Sequence, residues 1–136
     1  YLFSLIKKLS GEGIKLNVTA IFTIKQVKQL VKHLNPNTEC YISIFAGRIA
    51  DTGNDPSSVI VSTKKLIKNK KKFKIIWAST REVLNIFQAD KLECHIITVG
   101  HDFIKKLENI DYNLEKYSLD TVNQFYIDAK KSNYKI

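Results

Sequence analysis

The chain has 136 residues, of which 44% are hydrophobic and 26% charged, as is ordinary for one globular domain that buries a sizeable core. No apolar run approaches the roughly 20 residues of a membrane-spanning helix, and no secretory leader opens the chain, so we expect a cytoplasmic protein with no membrane partner. The net charge of +9 comes largely from the segment 64–74. Its lysines are not interleaved with the arginines and aromatic residues that recognise bases. We therefore expect this segment to be a solvated helix end, and we expect no nucleic acid partner.

Apolar periodicity divides the chain into alternating helices and strands. The predicted elements are, in chain order, a helix at 1–10, a strand at 14–20, a helix at 23–34, a strand at 40–46, a polar loop at 47–56, a helix at 57–69, a strand at 73–79, a helix at 80–90, a strand at 94–100, a short helix at 101–109 and a last helix at 118–132. Thr23 and Ser118 are typical N-cap residues and open two of these helices.

Four of the predicted helices carry apolar side chains at helical spacing, which we expect to face the core. They are Leu2, Leu5, Ile6 and Leu9 in the first helix, Val27, Leu30, Val31 and Leu34 in the second, Val59, Ile60, Thr63, Leu66 and Ile67 in the third, and Leu119, Val122, Phe125, Tyr126 and Ala129 in the last.

Strand and helix alternate four times, and the strands are short, apolar and rich in β-branched residues, which is typical of a parallel sheet with crossover helices. Polar residues stand at or just beyond the carboxyl end of each strand: Asn17, Thr19, Ser43, Arg48, Ser79, Arg81 and Thr98. In a (β/α)8 barrel the active site lies at this end of the strands, although an open doubly wound sheet would also carry polar residues there. No glycine-rich nucleotide-binding motif follows any strand.

Two polar residues interrupt the first strand, in the sequence KLNVTAIFT. Asn17 and Thr19 are two apart and therefore point to the same face of the strand. Burying them without partners would cost roughly 2–7 kcal/mol each. We expect them to face a polar barrel mouth; the alternative is that they bond each other in a closed core.

Other reactive residues predict no separate site. Cys40 and Cys94 lie in different apolar stretches and are expected to stay reduced, and the spacing of histidine and cysteine predicts no metal site. Asp51 and Asp55 flank a turn in the loop 47–56 and are expected to shape it.

Several motifs together resemble the transaldolase family, a group of Schiff-base aldolases. KLNVTAIFT resembles the fifth barrel strand of that family, YISIFAGRIADTG the sixth strand with its Gly-Arg-Ile loop, and IIWASTREV the seventh strand. LECHIITVGHDFIKKL continues the match through the eighth strand, and YSLDTVNQFYIDAKK resembles the closing helix. The resemblance implies an α/β fold: the C-terminal half, strands five to eight, of a (β/α)8 TIM barrel plus the C-terminal helix, as one partial domain over 1–136.

The resemblance also implies a reaction. Transaldolases transfer a dihydroxyacetone unit between sugar phosphates of the fructose 6-phosphate and sedoheptulose 7-phosphate type, in the pentose phosphate pathway and without a cofactor. A lysine on the fourth strand forms the Schiff base, so we expect that lysine upstream of Tyr1 and expect this chain alone to be inactive. The intact enzyme is expected to be a homo-oligomer.

Three residues match the family's catalytic group. Asn17 would hydrogen-bond the substrate hydroxyls, and Thr19 would position the water that shuttles protons. Ser43 matches the serine of the sixth strand that contacts the dihydroxyacetone moiety.

Three further residues match the family's phosphate-binding group: Arg48, Ser79 and Arg81. The two arginines are the only ones in a chain rich in lysine, and two guanidinium groups with a hydroxyl suit a phosphate dianion. Arg81 is also expected to open a helix, where backbone N–H groups favour an anion.

Two alternative functions remain open: a fructose-6-phosphate aldolase, which needs the same lysine, or a non-catalytic half barrel that binds sugar phosphates. Lys15 and Lys74 are not expected to replace the missing nucleophile, because neither is placed at the mouth. Where many relatives carry a proline after the eighth strand, this chain has Gly100.

Overall fold

The computed structural model describes residues 1–132, so the predicted domain at 1–136 is described up to residue 132. Its elements are α1 (Leu2–Gly11), β1 (Leu16–Ile21), α2 (Ile24–His33), β2 (Cys40–Ile44), α3 (Ala46–Ala50), α4 (Ser57–Ile67), β3 (Phe73–Trp77), α5 (Leu84–Lys91), β4 (Ile96–Ile97), α6 (His101–Lys106), a 3-10 turn (Leu107–Asn109) and α7 (Leu114–Lys131).

The four strands form one parallel sheet in the order β1-β2-β3-β4. Cys40 of β2 lies opposite Leu16 of β1 and Phe73 of β3, so the first three strands begin at nearly the same level. Each connection between neighbouring strands contains a helix, as parallel pairing requires. The α/β class and the parallel sheet are confirmed, and this arrangement is consistent with half of a TIM barrel.

The core lies between the sheet and its crossover helices. Its largest fully buried apolar side chains are Val27, Leu30, Ile42, Ile44, Ile60, Phe73, Ile75 and Trp77. Burying one such side chain contributes roughly 1.5–3 kcal/mol. On β1, Leu16 and Val18 pack against this core while Asn17 and Thr19 are exposed, so the opposite face of this strand is open to solvent.

The beginning of α2 is fixed by a capping box. Thr23 Oγ1 accepts a hydrogen bond from the Gln26 N–H at 3.2 Å, and Gln26 Oε1 accepts one from the Thr23 N–H at 2.9 Å. The four predicted core residues of this helix, Val27, Leu30, Val31 and Leu34, are all buried. The prediction of this N-cap and this apolar stripe is confirmed.

The predicted fourth strand is much shorter than expected. The segment 94–100 forms a ladder only at Ile96–Ile97, opposite Ile76 and Trp77. Single hydrogen bonds extend the pairing by one residue on each side, from the His95 N–H and the Thr98 N–H to β3. Because β3 is the only strand beside β4 in the part of the chain that the structure describes, little backbone pairing holds this segment extended.

Three helix boundaries also differ from the prediction. The predicted loop 47–56 begins inside α3, whose five residues include a glycine that hides the helical pattern. The helix predicted at 80–90 begins only at Leu84, so Arg81 precedes it. The last helix begins at Leu114, because the Asn113 side chain caps it by accepting from the Lys116 N–H at 2.9 Å; Ser118 lies inside the helix.

The predicted burial of the first, third and last helices is only partly correct. Ile6 is buried in α1, whereas Leu2 and Leu5 are exposed. Three of the five residues predicted for α4 are buried, namely Ile60, Thr63 and Ile67. The face predicted to be buried in α7 is mostly exposed, including Leu119, Val122, Phe125 and Tyr126, because no other element in residues 1–132 covers it.

Candidate substrate site

Asn17 and Ser43 form a direct pair on two neighbouring strands. Asn17 lies opposite Tyr41 in the register of β1 and β2, and Ser43 is two residues further along β2, on the same face. The Ser43 hydroxyl donates to Asn17 Oδ1 at 2.7 Å. Since Oδ1 is occupied, the Asn17 amide nitrogen is left to donate to the oxygen of a ligand. The alternative that Asn17 and Thr19 bond each other in a closed core is wrong.

The third residue of this group, Thr19, is exposed on the same face, beside a break in the ladder. The register between β1 and β2 shifts between Val18 and Ile21, and Ala20 adopts a positive φ of 58°. Such an irregularity at the end of a strand redirects the neighbouring side chains and is common next to active sites. The Thr19 hydroxyl therefore faces the open side of the sheet near the Asn17–Ser43 pair.

The phosphate-binding candidates lie in two segments that touch each other. Arg48 lies on α3, directly after β2, while Ser79 and Arg81 follow β3. Gly47 joins the segments: a Cβ placed on it would lie 1.5 Å from the Ser79 carbonyl oxygen and 3.0 Å from Arg81 Cγ. Only glycine permits this approach, so it brings Arg48 close in space to the loop that carries Ser79 and Arg81.

The two arginines have different surroundings. The Arg48 guanidinium lies over the Phe45 ring, 5.3 Å from its centre, and its side chain is exposed. The Arg81 guanidinium forms a two-pronged ion pair with Asp51, in which Nη2 lies 2.7 Å and Nε 3.1 Å from Oδ2. The sequence predicted that Asp51 and Asp55 shape a turn; Asp55 does so by accepting from the Ser57 N–H at 2.8 Å, and Asp51 has in addition the pairing with Arg81, which was not predicted.

The backbone N–H of Arg81 is already occupied, contrary to the prediction that it would help to bind an anion. Asn85 Oδ1 accepts from the N–H groups of Arg81 and Glu82, at 2.9 and 3.2 Å. Asn85 is buried, and its own amide nitrogen donates to Gln88. The side chain of Arg81, and not its backbone, is thus what the loop offers to an anion. Apart from the position of Asn85 in the first turn of α5, nothing in the sequence indicates this role.

The two groups are not directly bonded to each other. Among residues 1–132, no hydrogen bond joins the Asn17, Thr19 and Ser43 group to the Arg48, Ser79 and Arg81 group. Asn17 is the second residue of β1, Thr19 and Ser43 lie in the carboxyl halves of β1 and β2, and Arg48, Ser79 and Arg81 follow the carboxyl ends of β2 and β3. The arrangement offers an amide and hydroxyls that can bond to ligand oxygens and, on the segments after β2 and β3, two guanidinium groups that can bind an anion.

Lys15 directly precedes β1, and Lys74 lies on β3 at the same level of the sheet as Asn17. Lys15 pairs with Glu39 at 3.4 Å, and Glu39 also accepts a hydrogen bond from the Tyr41 hydroxyl. The pKa of Glu39 is lowered, first by this hydroxyl and then by Lys15. Lys74 is opposite Tyr41 in register. Lys15 is ion-paired and mostly exposed, and so lacks the dry environment that activates a nucleophilic lysine.

The basic segment lies at the amino end of β3, away from the arginines. Lysines of this segment line an open cavity of about 230 Å³ together with Phe73 and His95. His95 Nδ1 accepts from the Ile75 N–H at 3.0 Å, and the pKa of His95 is lowered by burial and then by Lys74 and Lys64. Lys64 pairs with Glu93. Several of these lysines follow the carboxyl end of α4, where the helix dipole favours positive charge, and this explains their clustering without a ligand.

Both cysteines are free, and burial raises the pKa of the Cys94 thiol to about 11, so it is a poor nucleophile. Within residues 1–132, no cluster of three or more histidine, cysteine, aspartate or glutamate side chains is arranged to hold a metal ion. None of the helices described is long and apolar enough to cross a membrane.

Comparison with known proteins decides the family. The family model described as transaldolase/fructose-6-phosphate aldolase matches residues 2–136. The chain belongs to this family. A probable transaldolase 2 of Listeria monocytogenes is 37% identical over 103 residues, which cover 75% of this chain and 45% of the relative. A probable transaldolase of Nitrosopumilus maritimus is 30% identical over 129 residues, covering 93% and 55%.

The transaldolase resemblance seen in the strand motifs is therefore confirmed at the level of the family. A third relative, a probable transaldolase of Carboxydothermus hydrogenoformans, is 40% identical over 95 residues, which cover 69% of this chain and 42% of that protein. The chain spans about half the length of the curated relatives it matches.

Proposed function

We propose that this chain is the substrate-recognition half of a transaldolase, which transfers a dihydroxyacetone unit between sugar phosphates of the pentose phosphate pathway. The observation that supports the proposal is the contact of Gly47 with the Ser79–Arg81 loop, which brings the segment that carries Arg48 against the loop that carries Ser79 and Arg81, while Ser43 and Asn17 form a polar pair on β2 and β1. Guanidinium groups and a hydroxyl match a phosphate dianion. An amide nitrogen and hydroxyls match the oxygens of a sugar chain.

In this proposal the chain corresponds to strands five to eight of the barrel. The nucleophilic lysine belongs to a strand that pairs with the open edge of β1, next to Asn17 and Thr19. Its amine adds to the substrate ketone and water leaves, and the protonated imine then accepts the electron pair when the carbon–carbon bond breaks. Thr19 holds the water that moves protons, and Ser43 and Asn17 bind the dihydroxyacetone oxygens.

The test is the binding of fructose 6-phosphate to the 136-residue chain, measured by calorimetry. Replacing Arg81 with alanine removes a charge-assisted hydrogen-bond donor, so we expect an affinity loss of about tenfold. Lys25→Ala removes the same charge from the exposed face of α2 and should leave the affinity unchanged. Equal binding by the wild type and Arg81→Ala would refute the phosphate site.

Borohydride trapping tests the position of the lysine. With fructose 6-phosphate we expect no adduct on this chain alone, because Lys15 is exposed and ion-paired with Glu39, and Lys74 is only partly buried near the amino end of β3. In a protein that carries a complete barrel around this chain, we expect one adduct, on a lysine outside residues 1–136. An adduct on Lys15 or Lys74 would contradict this assignment.

The name of the family also includes fructose-6-phosphate aldolases, which form the second candidate. The two differ in the fate of the dihydroxyacetone unit: a transaldolase passes it to an aldose phosphate, whereas an aldolase releases it free. Product analysis of the complete barrel, with and without an acceptor aldose phosphate, separates them. Phosphate binding without an adduct in the complete barrel would instead identify a non-catalytic sugar-phosphate binder. The same proposal places the protein in the cytoplasm, as a homo-oligomer when intact.

A further inference from the structure

The ion pair between Asp51 and Arg81 places a carboxylate inside a group of residues assigned to an anion. Asp51 belongs to the segment after α3 and Arg81 to the loop after β3, so the pair bridges two segments 30 residues apart. We infer that Asp51 is a positioning residue: it holds one edge of the Arg81 guanidinium so that the other edge faces the substrate phosphate. This inference rests on the phosphate site proposed above.

The geometry of the pair leaves half of the guanidinium available. A guanidinium has five N–H donors in a planar fork, and Nε and Nη2 form one edge of that fork. Asp51 accepts from this edge: Nε lies 3.3 Å from Oδ1 and 3.1 Å from Oδ2, and Nη2 lies 2.7 Å from Oδ2. The edge formed by Nη1 and the second N–H of Nη2 makes no hydrogen bond to the described residues. That edge can bind two oxygens of one phosphate while Asp51 stays in place.

Three neighbouring residues hold the backbone, the aliphatic stem and the guanidinium group of Arg81. Asn85 holds its backbone N–H at 2.9 Å. Gly47 lies against its aliphatic stem, since a Cβ on Gly47 would approach Arg81 Cγ to 3.0 Å. Asp51 holds its head and is itself anchored, because its N–H donates to the Gly47 carbonyl at 2.9 Å. The direction of the guanidinium is therefore set before any ligand binds.

Two other roles for the pair fit the structure less well. Both side chains are about half exposed, at 47% and 51%, and ion pairs at such positions add little to folding stability. A carboxylate that merely competed with phosphate would lower affinity with no compensating gain. An arginine that is already ordered, however, loses less conformational freedom on binding, so the entropic cost of binding phosphate is smaller. Salt and water screen the repulsion between carboxylate and phosphate but do not remove this entropic advantage.

The experiment is an NMR titration of the 136-residue chain with inorganic phosphate. We expect Asp51→Ala to weaken binding about fivefold and Asp51→Asn, which keeps one acceptor oxygen, to weaken it less. Asp55→Ala is the matched control, because it removes a carboxylate from the same loop. The Asp55 carboxylate bonds to Ser57 and not to Arg81, so this substitution should change the affinity for phosphate less than twofold. Circular dichroism checks that each variant is folded.

The double variant separates positioning from a structural role. If Asp51 acts through Arg81, then Asp51→Ala changes nothing once Arg81 is alanine, whereas a structural role would weaken the residual binding in both backgrounds. In the wild type, the Arg81 Nε–H signal should stay protected from exchange when phosphate binds, because Asp51 keeps that edge.

The outcomes distinguish this inference from the proposed function. If Arg81→Ala fails to weaken phosphate binding, the phosphate site itself is refuted and the inference with it. If Arg81→Ala weakens binding but Asp51→Ala leaves it unchanged or strengthens it, only the positioning role is overturned. Loss of the Nε–H signal on phosphate addition would likewise show that the ligand displaces Asp51, against the inference.

Discussion

The hydrogen bond between Ser43 and Asn17 joins two neighbouring strands, and we expect it to contribute more to ligand binding than to folding stability. Ser43 is buried, but its acceptor Asn17 is exposed and can bond to water when the partner is lost. We predict that Ser43→Ala lowers the free energy of unfolding by only about 0.5–1.5 kcal/mol. The same substitution should weaken fructose 6-phosphate binding, because the Asn17 amide is no longer held.

Urea denaturation and calorimetric titration measure these two effects on the same samples. Ser58→Ala, at an exposed position of α4, is the control and should alter neither quantity. A loss of stability well above 2 kcal/mol, without a change in affinity, would mean that the Ser43–Asn17 bond belongs to the core.

We predict that His95 makes the stability of the fold depend on pH. Its pKa is lowered from the ordinary 6.5, first by burial and then by Lys74 and Lys64, and its Nδ1 accepts a hydrogen bond from Ile75 that protonation would break. The folded chain thus binds this proton less tightly than the unfolded chain. The contribution of neutral His95 to the free energy of unfolding should be fully present above about pH 7. It should decrease as the pH falls below 6.5, and stop decreasing once the pH is below the lowered pKa of His95 in the folded chain.

Thermal unfolding at pH 7.5 and pH 5.5 measures this dependence. His95→Gln cannot be protonated in this range, so its melting temperature should fall less between the two pH values than that of the wild type. His101→Gln, at the exposed start of α6, should behave like the wild type. Equal pH dependence in the wild type and His95→Gln would remove His95 as the cause.

At the scale of the elements, the contact between α3 and the loop after β3 depends on Gly47. A side chain there would place Cβ 1.5 Å from the Ser79 carbonyl oxygen, a distance that only a movement of the backbone can relieve. We predict that Gly47→Ala costs about 3 kcal/mol of folding stability and also weakens phosphate binding, because the loop that carries Arg81 shifts.

Gly11→Ala provides the matched control for Gly47→Ala, since Gly11 ends α1 and nothing lies within 4 Å of its added Cβ. This substitution should be neutral or stabilise the chain by up to about 1 kcal/mol, because alanine favours a helix. Denaturation curves of the two variants give the comparison. Similar stabilities would mean that α3 moves away from the loop without cost.

The elements that the sequence predicted well are those fixed by local chemistry or by continuous burial. The N-cap of α2 depends on Thr23 and Gln26, three residues apart, and β3 is predicted because its apolar run is buried between two neighbours. β4 was overestimated, since an apolar run does not reveal that a strand has one partner only. The apolar face of α7 was placed in the core because amphipathic spacing shows which side is apolar but not whether anything covers it.

The candidate site was predictable to the same degree. Parallel pairing of β1 with β2 sets Asn17, the second residue of β1, opposite Tyr41 and two positions before Ser43, so the proximity of Asn17 and Ser43 follows from the order of strands. The pairing of Asp51 with Arg81 does not follow, because it depends on how two loops 30 residues apart pack on Gly47. Side-chain partners across loops are set by tertiary packing, which a single sequence does not display.

For the whole molecule, the main consequence of the fold is an open sheet. Within residues 1–132, β1 and β4 each pair with one strand only, so each presents an edge of unpaired backbone groups. A groove along β1 is lined by Leu2, Leu5, Ile6 and Leu9 of α1, and Ile96 of β4 is 40% exposed. Unpaired edges next to apolar surface favour pairing with another chain.

We therefore predict that the 136-residue chain associates with itself at micromolar concentration, and that the edge of β4 contributes. Ile96→Lys places a charge on that edge and should shift the chain toward monomer in light scattering coupled to size exclusion. Ile110→Lys adds the same charge at a residue of nearly equal exposure, 39%, outside the sheet, and should leave association unchanged. If both lysines reduce association equally, net charge is the cause. If Ile96→Lys alone does so, the sheet edge is the contact, as expected for an edge strand whose backbone groups are unpaired on one side.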